Sequence, residues 1–160
     1  MRRGVGFFGK IQSTGKQNFQ KFTRKLTDTG MKYTTITENH LFGKAFSKGK
    51  RYRGTYVAVY VLPDYTAKRR MRANPRKEFI NRTGISVSKK LGGAVTRSRV
   101  RRIIREGYRA ACRTSPIKTG NLIVFGVRNA AVGAKSTDIA RELSVAFSAL
   151  GLTLPGTTGK

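Results

Sequence analysis

The sequence predicts an α+β fold in which helices pack on one sheet. Three observations carry this. A β-branched and aromatic run, "GTYVAVYVL" (54–62), alternates with period two. A second apolar run, "NLIVFGVR" (121–128), is bracketed by turn residues. Between and after them lie two stretches of helical periodicity, 97–113 and 135–151. Helices interspersed with strands, in a chain of 160 residues, suit one domain with a real core and a single sheet.

Residues 1–30 stand apart. They hold seven basic residues, one acid (Asp28) and five glycines, with no lasting periodicity. We expect disorder there, or at most a short helix around Phe19 to Leu26. The composition fits either an organelle transit peptide or an extension upstream of a start at Met31, and the extension is preferred. The expected folded domain is 31–154, followed by a flexible tail at 155–160.

The first element after this boundary is a helix in "ITENHLFGKAFSKGKRY". Thr37 suits the N-cap, Ile36 can staple onto Leu41, and Gly49 can take a left-handed terminating position. Phe42 and Phe46, four apart, share a face. In the strand 54–62, Val57, Val59 and Val61 point one way, and Tyr56, Ala58, Tyr60 and Leu62 the other. A weak strand is expected before or within 52–62. "TAKRRMRANPRKEF" (66–79), with six basic residues and Pro75, reads as a solvated loop. "INRTGISVSKK" (80–90) is a further strand, with Ile85 and Val87 alternating against Ser86 and Ser88. In the last helix, Ser136 or Thr137 is the expected cap. Ile139, Leu143, Ala146, Phe147 and Leu150 form its stripe, and Gly151 ends it. "LTLPGTTGK" reads as a tail. The expected order is αβββαβα.

Charge is the dominant compositional fact. Lys and Arg total 34 against 7 acids, a formal net charge of +27. The natural counter-charge is a polyanion, nucleic acid first and an anionic membrane surface second. No stretch approaches the roughly 20 apolar residues of a membrane span. One cysteine, Cys112, and one histidine, His40, exclude an internal disulfide and a zinc site. Cys112 is expected to be a small buried hydrophobe.

The charge concentrates in "KKLGGAVTRSRVRRIIREGYR" (89–109). At 100° per residue, Val100, Ile103, Ile104, Gly107, Tyr108 and Ala111 share one arc. Arg101, Arg102, Arg105, Arg109 and Arg113 share the opposite arc with Ser98. A face built only for solubility mixes signs at i, i+4. This one repeats a single sign, and Glu106 relieves only part of it. Guanidinium also suits bidentate binding of phosphate. Gly92 and Gly93 are expected to form the turn into the helix and to allow close approach of a phosphate.

"SVSKKLGGAVTRSRVRRIIRE" (86–106) resembles the signature of the bacterial ribonuclease P protein subunit, through Lys89, Lys90, Gly93, Ala94, Val95, Arg97, Arg99, Arg101, Arg102, Arg105 and Glu106. "MKYTTITENHLFGKAFSKGKRY" resembles the start of that family, and the likeness runs from about Met31 to Leu154. The asparagine of the family's Arg-Asn-Arg motif is Ser98 here, which puts any amide-specific contact in doubt.

The resemblance implies a left-handed βαβ crossover and a central cleft. It also implies a cytoplasmic, non-catalytic protein subunit, one per catalytic RNA, that helps remove the 5′ leader of precursor tRNA. By this likeness the RNA subunit meets Lys89, Lys90, Arg97, Ser98, Arg99, Arg101, Arg102, Arg105 and Arg109. The cleft that takes single-stranded leader holds Phe42, Phe46, Tyr60, Ser86, Ser88 and Lys90. Tyr56 joins them because it lies on the same strand face as Tyr60. Aromatics beside lysines on a sheet face suit stacking of unpaired bases, although a Phe pair at i, i+4 equally suits core packing.

The seven acids form no DxD or ExxE pair. No general acid and base, and no protein-held metal, is therefore expected. Mg²⁺ would be held by the RNA subunit and substrate. No small-molecule substrate or membrane partner is expected. The competing reading is a ribosomal or other structural RNA-binding protein.

Overall fold

A computed structural model describes residues 33–66, 69, 72 and 80–154. The expectations for 1–30 and for the tail from 155 lie outside the described residues.

The elements run β1 (Tyr33–Thr35), α1 (Asn39–Lys48), β2 (Lys50–Arg53), β3 (Val57–Pro63), β4 (Asn81–Ser86), α2 (Ala94–Thr114), β5 (Asn121–Val127) and α3 (Ser136–Ala149). Single 3₁₀ turns occupy Lys89–Leu91 and Asn129–Val132. The five strands form one mixed sheet in the order β1-β4-β5-β3-β2. β4 lies parallel to both β1 and β5, while β3 runs antiparallel to β5 and β2. The α+β reading and the single sheet hold, with β2 as the weak strand. β1 is an addition, since three residues are too few to show a period.

Two apolar clusters lie on opposite faces of the sheet. The larger joins Val57, Val59, Ile123 and Phe125 to Val100, Ile104 and Tyr108 of α2 and to Ile139, Leu143 and Phe147 of α3. Tyr108 stands edge-on to Phe125 and Phe147, with ring centres 5.5 and 6.0 Å away. The smaller joins Leu122 and Val124 to Ile36, Leu41 and Ala45, with α1 as its cover. β5 therefore buries both faces, which is why it reads as a continuous apolar run. Two long helices occupy one side of the sheet and one short helix the other.

α2 and α3 meet closely because Gly107 has no side chain. A Cβ there would fall 2.7 Å from Ile139 Cγ2. Cys112 is buried as expected, and burial pushes its thiol up to about 12, so no thiolate forms near neutrality.

Several element ends differ from expectation. Glu38, not Thr37, is the N-cap of α1, and it makes no side-chain capping bond. Ile36 and Leu41 do join one cluster. Gly49 is extended (φ −75°). Glycine is needed there for space: a Cβ would collide with the Ala45 carbonyl and come within 3.2 Å of the Val61 carbonyl. β4 stops at Ser86, so Val87 and Ser88 lie beyond the strand. In α3, Lys135 is the N-cap and its N–H donates to Asp138 Oδ2 (3.3 Å), which leaves Ser136 inside the helix. Gly151 takes the left-handed position (φ +69°) that closes α3. The first part of the expected tail is fixed: Leu152 is buried, and Lys118 N–H donates to its carbonyl (2.8 Å). In the expected loop 66–79, the described residues Thr66, Arg69 and Arg72 are helical and exposed.

Candidate nucleic-acid interface

α2 begins at Ala94, three residues earlier than its periodicity indicates. Gly92 (φ +126°) makes the turn before it, a conformation that other residues rarely adopt. Gly93 is an N-cap with ordinary φ (−65°) and open space around it, so only the first glycine is demanded by the backbone. Arg97 braces the turn by donating from Nη1 to the Gly92 carbonyl (2.9 Å).

Val100, Ile104, Gly107, Tyr108, Ala111 and Cys112 are buried, and the guanidinium arc faces outward. Ser98, Arg99, Arg102 and Arg105 are exposed; Arg97, Arg101 and Arg109 are half-buried. Ser98 lies in the second turn, too far along to cap the helix. Arg102 Nε meets Glu106 Oε1 at 3.3 Å, but both side chains are exposed. Such a pair is worth only about 0–1 kcal/mol. Among the described residues, Arg99, Arg101, Arg105 and Arg109 meet no carboxylate. The repulsion built into this face is therefore left for an outside anion to relieve.

Lys89 and Lys90 do not end a strand. They form an exposed 3₁₀ turn whose Leu91 is buried. Ser88 caps it, accepting the Lys90 N–H at 3.3 Å.

The other side of the sheet carries a second surface. Pairing register places Arg53, Ala58, Gly126 and Ser86 in one row across β2, β3, β5 and β4. Strand spacing makes this row about 14 Å long. The next row is Arg51, Tyr60, Val124 and Gly84. α1 covers Val124 and Leu122 but stops short of the Gly126 row, where Ala58, Gly126 and Ser86 stay half-exposed. The result is a shallow trough. Its floor is small side chains, Tyr60 forms a wall, and Arg53 stands at one end.

Phe46 is 40% exposed and stands edge-on to Tyr60, with ring centres 4.8 Å apart. The two phenyl groups of α1 thus divide. Phe46 opens onto the trough, whereas Phe42 packs on the sheet, its ring filling the space a side chain at Gly84 would need (2.6 Å). Tyr60 similarly leans over Gly126 (3.4 Å).

Tyr56 does not stand beside Tyr60. It packs against the larger cluster, on the opposite side of the sheet. Strand alternation fails because β3 starts only at Val57. The preceding turn is gripped by Glu142 of α3. Its carboxylate accepts the N–H groups of Thr55 (2.8 Å), Tyr56 (3.0 Å) and Val57 (2.8 Å). Local sequence gives no sign of this contact, which joins residues 85 to 87 apart.

Sequence reading also missed Arg51, Arg53 and Arg128. Arg51 and Arg53 flank Tyr52 in an alternating strand, which is a usable signal once β2 is recognised.

Guanidiniums held on one helix, four of them without a carboxylate among the described residues, and a second basic surface across the same sheet suit an α+β protein that binds a polyanion such as nucleic acid. The sequence model of the Ribonuclease P family matches residues 31–151. The chain belongs to that family. It is 36% identical over 124 residues to the ribonuclease P protein component of Clostridium acetobutylicum, covering 78% of this chain and 94% of that one. It is 37% identical over 102 residues to the component of Clostridioides difficile, covering 64% and 78%. The fold matches two solved structures of Staphylococcus aureus RNase P protein. One, a mutant with defective mRNA degradation activity, gives a TM-score of 0.60 at 24% identity, over 85% of this chain and 98% of that chain. The other gives 0.57 at 25% identity, over 77% and 100%. No described helix is long and apolar enough to cross a membrane.

Proposed function

We propose that the chain is the non-catalytic protein subunit of a cytoplasmic ribonuclease P. One copy joins one catalytic RNA through Lys89, Lys90 and the outward face of α2. The trough receives the single-stranded 5′ leader of precursor tRNA. The observation that carries this is the pairing of two basic surfaces on opposite faces of one sheet, one almost purely guanidinium and one aromatic-walled.

The two surfaces suit different RNA. A stiff row of guanidiniums fits a folded RNA backbone, where phosphates are the accessible groups. A trough with a tyrosine wall fits unpaired bases, which stack on aromatic faces. Phe46, Tyr60, Ser86, Ser88 and Lys90 would touch leader, with Phe42 as a packing residue and Tyr56 outside the contact.

The described carboxylates have other duties. Asp64 and Glu38 both hold Arg82, at 2.6 and 3.2 Å. Glu106 meets Arg102, Asp138 the Lys135 N–H, and Glu142 the hairpin turn. Among the described residues no three of His, Cys, Asp and Glu gather into a metal site. In this reading Mg²⁺ and the bond-breaking step belong to the RNA subunit and substrate, and the protein aligns the leader.

Reconstitution tests this reading. Purified protein added to a bacterial ribonuclease P RNA should raise precursor-tRNA cleavage at low Mg²⁺. Protein alone with Mg²⁺ should leave the precursor intact. No gain over RNA alone would sink the reading, and robust cleavage by protein alone would overturn the division of labour.

A further inference from the structure

A buried ion pair at one end of the sheet belongs to neither RNA surface. Asp64 follows β3 and is 4% exposed. It grips Arg82 of β4 with both oxygens, Oδ2 to Nε at 2.6 Å and Oδ1 to Nη2 at 3.0 Å. Oδ1 also accepts the Thr66 N–H (3.1 Å). The Asp64 N–H donates to the Gly120 carbonyl (3.0 Å), in the turn before β5. Tyr65, Thr66, Arg69 and Arg72 are helical. Asp64 therefore acts as a cap for the chain that leaves β3, and the cap is itself pinned to the sheet. The helical residues start from a fixed point.

What this anchor carries is basic. At 100° per residue, Tyr65, Arg69 and Arg72 fall within an arc of about 60°. All three are exposed, Tyr65 by 62%. Arg69 and Arg72 meet no carboxylate among the described residues. The stretch 66–79 holds six basic residues and one acid, Glu78. A face kept only for solubility mixes signs. This one repeats a single sign and adds an aromatic ring, a composition suited to phosphates and an unpaired base.

Its position selects the occupant. Pro63, the last residue of β3, lies five residues from Ala58 of the trough row, about 17 Å along the strand. The face is thus removed from the trough. It stands instead at the end of the sheet where α2 gives way to β5, since the Gly120 carbonyl that takes the Asp64 N–H belongs to the turn joining them. The RNA that meets the outward face of α2 is the polyanion nearest to it.

We propose that Tyr65, Arg69 and Arg72 form a second contact for the RNA subunit, held out from the sheet by the Asp64–Arg82 pair. This rests on the RNA-subunit reading of α2.

The test titrates the full chain against a ribonuclease P RNA at several salt concentrations. The variants are the double change Arg69→Gln with Arg72→Gln, Tyr65→Ala, and Arg101→Ala as control. Both arginines are exposed, so thermal unfolding should stay unmoved. The double variant should weaken subunit affinity at least tenfold and flatten the dependence of log K on log salt by about 0.7–0.9 per arginine. Tyr65→Ala should weaken affinity without changing that slope. The ratio of precursor to mature tRNA affinity should be the same in all three. Unchanged subunit affinity and slope in the double variant overturn the contact. A loss confined to precursor or mature tRNA would assign the face to substrate and also overturn it. So would intact RNA binding with lost binding to phosphatidylglycerol vesicles, which would assign it to a membrane surface. If Arg101→Ala weakens assembly while the double variant does not, the α2 reading stands and this contact falls. If neither does, both fall.

Discussion

The arginine face of α2 and the trough on the other side of the sheet are both basic, yet they are built in opposite ways. The α2 face is a single stretch of chain. Its arginines recur at helical spacing, and a buried stripe through Val100, Ile104 and Tyr108 fixes which way they point. The trough takes one residue at a time from β2, β3, β5 and β4, and only strand register brings them together. The first surface has strong charge and little shape. The second has shape, a tyrosine wall and a few charges at its rim. Placed on opposite sides of one sheet, they can hold two RNA segments, with Lys90 alone assigned to both.

That contrast can be broken in order of effect. The largest change comes from Gly107→Leu, which drives a side chain into Ile139 and separates α2 from α3. Overpacking of this kind costs about 1–3 kcal/mol, sometimes more. Urea unfolding should show the loss, and affinity for the RNA subunit should fall with it. An unchanged midpoint would mean the helices are not held at this contact.

A smaller effect is expected from Arg101→Ala and Arg105→Ala. Each should flatten the dependence of log K on log salt for the RNA subunit by about 0.7–0.9. Tyr60→Ala should leave that slope alone. A slope unmoved by either arginine variant would mean those groups stay solvated in the complex.

The smallest effect is expected from Ser98→Asn. Ser98 is exposed and caps nothing, so folding stability should stay within about 0.5 kcal/mol. A larger shift in thermal unfolding would give Ser98 a structural duty that its position in the second turn does not explain.

How much could be read beforehand follows from the same contrast. The apolar and basic arcs of α2 were legible because helical neighbours are three and four apart in sequence. Val57, Val59 and Val61 were legible for the equivalent reason in a strand. Tyr56 was misplaced because alternation was carried one residue past the point where Glu142 takes hold of the turn, and that partner lies 86 residues away. Arg53, Gly126 and Ser86 could not be joined without knowing that β5 lies between β4 and β3. Gly49 was assigned to a left-handed turn, a local role, although its real constraint is a carbonyl of β3. Local periodicity carried the first surface, whereas the second, built by non-local pairing, was reached only through the family resemblance.

The measurement that bears most directly on two separate RNA sites is the affinity of reconstituted Tyr60→Ala for precursor and for mature tRNA, alongside its affinity for the RNA subunit. Loss of one base stack should weaken precursor binding by about 1–3 kcal/mol. Mature tRNA binding and RNA-subunit affinity should stay as they are in the unaltered protein. Equal losses for precursor and mature tRNA, or a matching loss in subunit assembly, would contradict a leader site distinct from the arginine face.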